Sequence, residues 1–224
     1  MITRYITYAA FFLSVLCVIG CEKGDDYYLK YNTSAITHDG TVYDYLINQP
    51  GVYDSLVLVL ERLPDLKTYL DNPNNDITFF AINNRSFELA LTNLNIARRN
   101  NNLAPIYLED VDLSVLSILT HRYAFDEMQS VSVFRPFLDG MSMFSIKYDY
   151  EMHVQYQVLP SSGLLGGGQQ QLTFSDVNES IYLRNWNRTV TSSVDLNTTN
   201  GIVHTLSPRH EFGFGKLTTL LSGN

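Results

Sequence analysis

The sequence predicts an α+β domain in which helices come first and strands follow. Three observations carry that prediction. Apolar residues recur at helical spacing through the first half of the domain, interrupted by one compact run of β-formers, and after residue 128 the apolar period becomes two. Hydrophobic residues make up 45% of the 224 and charged residues 17%, with 15 Tyr and 12 Phe. That is too apolar and too aromatic for a disordered chain.

Taken in order, Asp39-Gly40-Thr41 reads as a turn and N-cap, followed by Val42, Tyr43, Leu46 and Ile47 at helical spacing up to Pro50-Gly51. A second helix is expected over 53–62 with Leu56, Val57, Val59 and Leu60 inward; Pro64 breaks it, and 66–70 form a short third turn. Asp71-Asn72-Pro73-Asn74-Asn75-Asp76 is a concentrated turn signal. Ile77-Thr78-Phe79-Phe80-Ala81-Ile82 suits a strand buried on both faces. Asn83 or Asn84 caps the next helix, which carries Phe87, Leu89, Leu91 and Leu94, and a loop is expected at Arg98-Arg99 and the asparagines after them. Glu109, Asp110 and Asp112 stand at the start of a helix containing Leu113, Leu116, Ile118 and Leu119. Acids there complement the helix dipole, which accounts for the cluster without a metal. Tyr148, Tyr150, Met152, Val154, Tyr156 and Val158 then alternate with Asp149, Glu151, His153, Gln155 and Gln157, the pattern of a half-buried antiparallel strand. A Gly-rich loop over 160–170 comes next, then strands at 171–175, 180–186, 188–194 and 201–206.

The formal charge of −8 weighs against a nucleic-acid binder, which would need a basic face. Only Cys17 and Cys21 are present, so beyond residue 21 the chain has no disulfide, Cys-based metal site or thiol nucleophile. Residues 1–20 hold Arg4 as their only formal charge and an apolar run of roughly a dozen residues, too short to span a bilayer and suited to a signal-peptide core. The run ends Val18-Ile19-Gly20-Cys21 and turns polar at Glu22, Lys23, Asp25 and Asp26. A small residue before a cysteine resembles the lipobox of bacterial lipoproteins, although Ile19 replaces the usual small residue. That resemblance implies lipid attachment at Cys21, with the acidic run after it similar to the surface-export signal of Bacteroidetes lipoproteins. The domains expected are thus a leader (1–20), a tether (21–37), a main domain (38–210) and a C-terminal tail (211–224) with room for a short helix. Removal of the leader leaves 14 basic against 23 acidic residues, a net charge of −9.

Thr78-Phe79-Phe80-Ala81-Ile82-Asn83-Asn84-Arg85-Ser86-Phe87 resembles the first signature of the fasciclin domain, with Ile82, Asn83 and Ser86 in place of the common Pro, Thr and Ala. Asn200-Gly201-Ile202-Val203-His204-Thr205-Leu206 resembles the second, and Gly40-Thr41-Val42-Tyr43-Asp44 the family's opening. Leu119-Thr120-His121 stands where the family often has Tyr-His; Thr120 replaces the Tyr, so the receptor-binding role credited to that segment in some members is not carried over. The resemblance spans about residues 38–208. It implies a wedge of two β-sheets with helices packed around it, used for adhesion and extracellular binding, with Thr78–Ile82 and Ile202–Leu206 side by side. Thr78, Phe80, Ala81, Asn84, Phe87, His121, Asn200, Gly201 and His204 are then structural residues, the two histidines satisfied in the core. Asn84 is expected to bond backbone at a helix start, and Gly201 to supply positive φ in an Asn-Gly turn.

No catalytic motif is complete. Gly140-Met141-Ser142-Met143-Phe144 lacks the final Gly of a nucleophile elbow, and Gly213-Phe214-Gly215-Lys216 lacks the first Gly of a phosphate loop. No metal or cofactor is expected. Five Asn-x-Ser/Thr triplets, at Asn32, Asn84, Asn178, Asn187 and Asn197, read as polar loops. The expected function is non-enzymatic adhesion or binding of a glycan or an extracellular or envelope protein, from the outer membrane or cell surface. The alternatives are an accessory subunit of an outer-membrane nutrient-uptake complex and a glycan hydrolase with two carboxylates in an open cleft. For a glycan the candidate platforms are the aromatics Tyr27, Tyr28, Tyr31, Tyr182 and Trp186, because a ring offers a large apolar face to a sugar.

Overall fold

The structure, a computed structural model, describes residues 36–160 and 168–223. The leader, Cys21, Tyr27, Tyr28 and Tyr31 lie outside the described residues, as does most of the 160–170 loop. The chain joins the domain at Ile36–His38, where Asn197 N donates to Ile36 O and His38 N to Asn197 O, both at 2.8 Å.

Helix α1 (Val42–Ile47) starts from a capping box: Thr41 Oγ1 accepts from Asp44 N and the Asp44 carboxylate accepts from Thr41 N, each at 3.1 Å. Helices α2 (Asp54–Arg62) and α3 (Pro64–Asp71) abut at Leu63. Pro64 cannot continue α2, but at the first position of α3 its missing N–H would have had no partner anyway. The third helix therefore runs eight residues, longer than the 66–70 turn expected. Helix α4 (Asn84–Asn100) is capped by Asn83, whose Oδ1 accepts from Ser86 N at 3.2 Å. It continues through Arg98 and Arg99, where a loop was expected. Both are good helix formers at the negative end of the dipole, and the Arg98 guanidinium donates to Ala104 O and Leu221 O at 2.7 and 2.6 Å.

Strand β1 (Ile77–Ala81) is buried at every position. Helix α5 (Leu113–Thr120), capped by Asp112, leads through a 3-10 turn (His121–Tyr123) into β2 (Ala124–Asp126). After the one-turn helix α6 (Val131–Phe134) come β3 (Met141–Phe144), β4 (Glu151–Val158), β5 (Gln170–Asp176), β6 (Asn187–Asn197), β7 (Gly201–Leu206) and helix α7 (Lys216–Leu221). The strands form one mixed sheet in the order β2-β1-β7-β6-β5-β4-β3. β1 and β7 are parallel neighbours, Ile77 opposite Gly201 and Ala81 opposite Thr205. β6 belongs to both arms of the wedge. Asn187 to Val190 pair with β5, and Thr191 to Asn197 pair with β7 across two register shifts. Those irregularities bend the strand and let one sheet serve as two.

Four other expectations are corrected. β4 begins at Glu151 and not Tyr148, because Asp149 at φ 51° turns the chain. Residues 180–186 form no strand: their polar side chains bond within the segment, which closes into a loop with a 3-10 turn at Leu183–Asn185. Helix α6 interrupts the stretch read as period two. Gly201 is not among the residues with positive φ; a Cβ there would sit 2.7 Å from Ile77 O and 2.9 Å from Val42 Cγ2, so close packing demands glycine.

The core is aromatic. Phe80 stacks on Phe174 at 4.1 Å, and Phe212 lies against Phe87 at 4.5 Å, which packs the segment after residue 210 against α4. Each such ring, fully buried, contributes about 2–3 kcal/mol. Among the described residues no helix is long and apolar enough to cross a membrane.

Candidate binding surface

The signature residues are spent on the scaffold. Asn200, fully buried, accepts from Val42 N at 2.8 Å and donates to Leu70 O and Asn72 O at 3.0 and 2.9 Å, so one amide joins the start of α1, the end of α3 and the β6–β7 turn. Asn84 does bond backbone at a helix start, but of α2 and not its own helix: its Oδ1 accepts from Ser55 N at 2.8 Å, where the α2 cap residue Tyr53 makes no side-chain cap bond. Thr78 Oγ1 donates to Glu127 O and accepts from Gln129 N. Phe80, Ala81 and Phe87 are core. His204, fully buried, accepts at Nδ1 from Asp195 N and donates from Nε2 to Gln129 O at 3.0 Å. Burial holds it below the usual histidine range.

One cluster has the residue types of a hydrolase. Ser117 Oγ is 3.3 Å from His121 Nδ1, His121 Nε2 is 3.7 Å from Asp65, and Lys147 pairs with Asp65. The bonding removes the chemistry. His121 Nδ1 carries a proton, because it donates to Ser117 O at 2.7 Å, so it cannot take one from the serine. Asp65 raises the Lys147 pKa and keeps that amine protonated. Among the described residues no group of three or more His, Cys, Asp or Glu could hold a metal ion.

The exposed chemistry collects at the β5–β6 connection. Asp176, buried, accepts from Arg122 Nη1 at 2.8 Å, Tyr150 OH at 2.6 Å and Asn178 N at 2.8 Å, and this fixes the start of the loop. Asn178 and Glu179 both have positive φ, with Ser180 N bonded to Val177 O, a type I′ turn. Ser180 then organises the rest of the loop: its hydroxyl accepts from Tyr182 N and Asn185 Nδ2, and its carbonyl accepts from Trp186 Nε1 at 2.6 Å. With the polar groups turned inward, Ile181, Tyr182 and Leu183 point out, 86%, 58% and 60% exposed. The guanidinium of Arg184 sits 5.3 Å from the Tyr182 ring centre, and that of Arg188 5.8 Å from the Trp186 ring. Neither arginine has a carboxylate partner among the described residues.

Of the predicted aromatic platforms, Tyr182 is therefore open. Trp186 is half-buried, its indole N–H holding the loop closed and its ring 4.8 Å from His153. Beside it runs the outer face of β3–β6. Cross-strand register puts Ser142, His153, the buried Ser175 and Arg188 in one row, Gln155, Thr173 and Val190 in the next, and Gln157 with Gln171 in the third. No sequence motif marked these residues; the alternation in β4 was the signal that Gln155 and Gln157 face water. A separate groove of about 570 Å³ lies along α4, lined by Leu91, Ile96, Leu103 and Tyr107 among others, and its one carboxylate, Glu88, is paired with Arg85.

No protein-family model and no curated protein matches the chain. A solved structure does: the FAS1 domain pair from the insect cell adhesion molecule fasciclin I, at TM-score 0.52 and 13% identity, over 75% of this chain. The chain spans about half the length of that pair, 49%. The likeness establishes a fasciclin-like fold.

Proposed function

We propose that the protein is a non-enzymatic binding domain, tethered to a bacterial cell envelope by lipid at Cys21, that captures an extracellular glycan or protein. The observation that carries this reading is the division of polar groups. The Ser117, His121, Asp65 and Lys147 cluster is consumed by internal bonds, whereas the 177–186 loop uses its own bonds to present an exposed Ile-Tyr-Leu tip. The −9 charge left after leader removal suits a domain that stands off an anionic membrane. Radiolabelled palmitate feeding of bacteria expressing the full chain tests the tether. Label and membrane retention are expected for the wild type, and loss of both in Cys21→Ala. Retention of both in that variant would sink the anchor. A second reading, a subunit of an envelope uptake complex, is favoured by the apolar character of Ile181 and Leu183; a stable stoichiometric partner in pull-downs from membranes would select it.

A further inference from the structure

We infer that the outer face of β4–β6, together with Tyr182 and Trp186, is a binding site for a neutral polysaccharide. The inference rests on the binding reading above and names its ligand class. The face is nearly uncharged in a chain with a formal charge of −8: across its three rows the one charged side chain is Arg188, and Glu151, opposite Phe144, lies at the β3 edge. An acidic polymer would be repelled by the field of the whole protein, whereas a neutral one meets a surface of matching character.

The amides are pre-ordered. Gln157 Nε2 donates to Gln171 Oε1 at 3.2 Å and Thr173 Oγ1 at 2.9 Å, and Gln155 Nε2 donates to Leu138 O at 2.8 Å. Those bonds fix the two side chains and leave the Oε1 of each without a partner among the described residues, as acceptors for sugar hydroxyls. Adjacent strands are about 4.8 Å apart, the scale of one pyranose ring, so a chain crossing β4, β5 and β6 sets successive rings over successive strands. In the loop that joins β5 to β6 Tyr182 offers an open ring, the half-buried Trp186 lies 4.8 Å from His153 of the first row, and Arg188, without a carboxylate partner among the described residues, supplies donors.

The test is affinity electrophoresis of the full chain, in detergent, through native gels cast with β-glucan, mannan, xylan or galactan, and with alginate or pectate as acidic controls. At least one neutral polymer is expected to retard the wild type, with apparent affinity falling about tenfold, or 1.4 kcal/mol, in Tyr182→Ala and in Gln155→Ala/Gln157→Ala. Retardation by alginate or pectate alone overturns the ligand class but keeps the binding reading. Neutral-polymer retardation that both variants retain overturns the site. If no polymer retards the chain and a membrane protein partner is instead lost in Ile181→Asn/Leu183→Asn, the glycan inference fails while binding stands. Neither polymer nor partner sinks both.

Discussion

Apart from the buried end of β5 at Ser175 and Asp176, the two arms of the sheet use polar residues in opposite ways. In the β2-β1-β7 arm they are buried and saturated: Asn200 makes three side-chain bonds to backbone and His204 two, at 0% exposure each. In the β3–β6 arm Gln155 and Gln157 stand at the solvent face with acceptor atoms free among the described residues. The first arrangement locks helices to strands; the second leaves hydrogen-bonding capacity for something outside. Recognisable motifs collect in the first because a saturated buried site tolerates few residue types, so they report the scaffold and are silent about the ligand.

Asn200→Ala should produce the largest effect. It orphans one buried N–H and two carbonyls, at about 1–3 kcal/mol each for groups cut off from water, so a loss of about 4 kcal/mol is expected. Urea unfolding followed by circular dichroism checks it. A loss below about 1 kcal/mol would break the comparison, since the amide would then be replaceable by water.

Acid should strike the same arm next. His210 is nearly fully buried, its Nε2 accepting from Tyr123 OH at 2.9 Å, and burial lowers its pKa from 6.5 to about 3. A folded-state pKa below the unfolded one means that folding favours the neutral ring. This contribution is complete above pH 6.5 and is lost progressively as pH falls toward 3. The slope is about 1.4 kcal/mol per pH unit, or about 2 kcal/mol by pH 5. His204 and His121, also lowered by burial, act in the same direction. Unfolding midpoints at pH 7 and about pH 5 should separate more in the wild type than in His210→Gln. Equal separation would mean that His210 takes up no differential proton.

Much of this scaffold was legible in the sequence. Helical spacing located α1, α2 and α5, the run of β-formers located β1, and the two signatures placed β1 beside β7. Two of the departures share one cause, local polar bonding that periodicity does not register. Residues 180–186 carry β-formers, yet Ser180 and Asn185 tie them into a loop; Arg98 and Arg99 sit beside asparagines, yet the helix runs on through them, with Arg98 bonded to Ala104 O and Leu221 O. The candidate site was only half legible for a different reason. Tyr182 and Trp186 stood out as aromatics, but the glutamines that complete the face are assembled by register between β4 and β5, which no single segment encodes.

The smallest expected effect sharpens the comparison most. Gln155→Ala/Gln157→Ala removes two amides, one more than Asn200→Ala, from the same sheet. Their bonds lie at the surface, where water replaces a lost partner at little cost, so stability should change by no more than about 0.5 kcal/mol. Thermal unfolding of both variants side by side would then show a gap of several kcal/mol that runs against the number of amides removed. A loss above about 2 kcal/mol in the double variant would mean that the glutamine rows are structural, and the acceptors they hold at the surface would lose their claim to be there for a ligand.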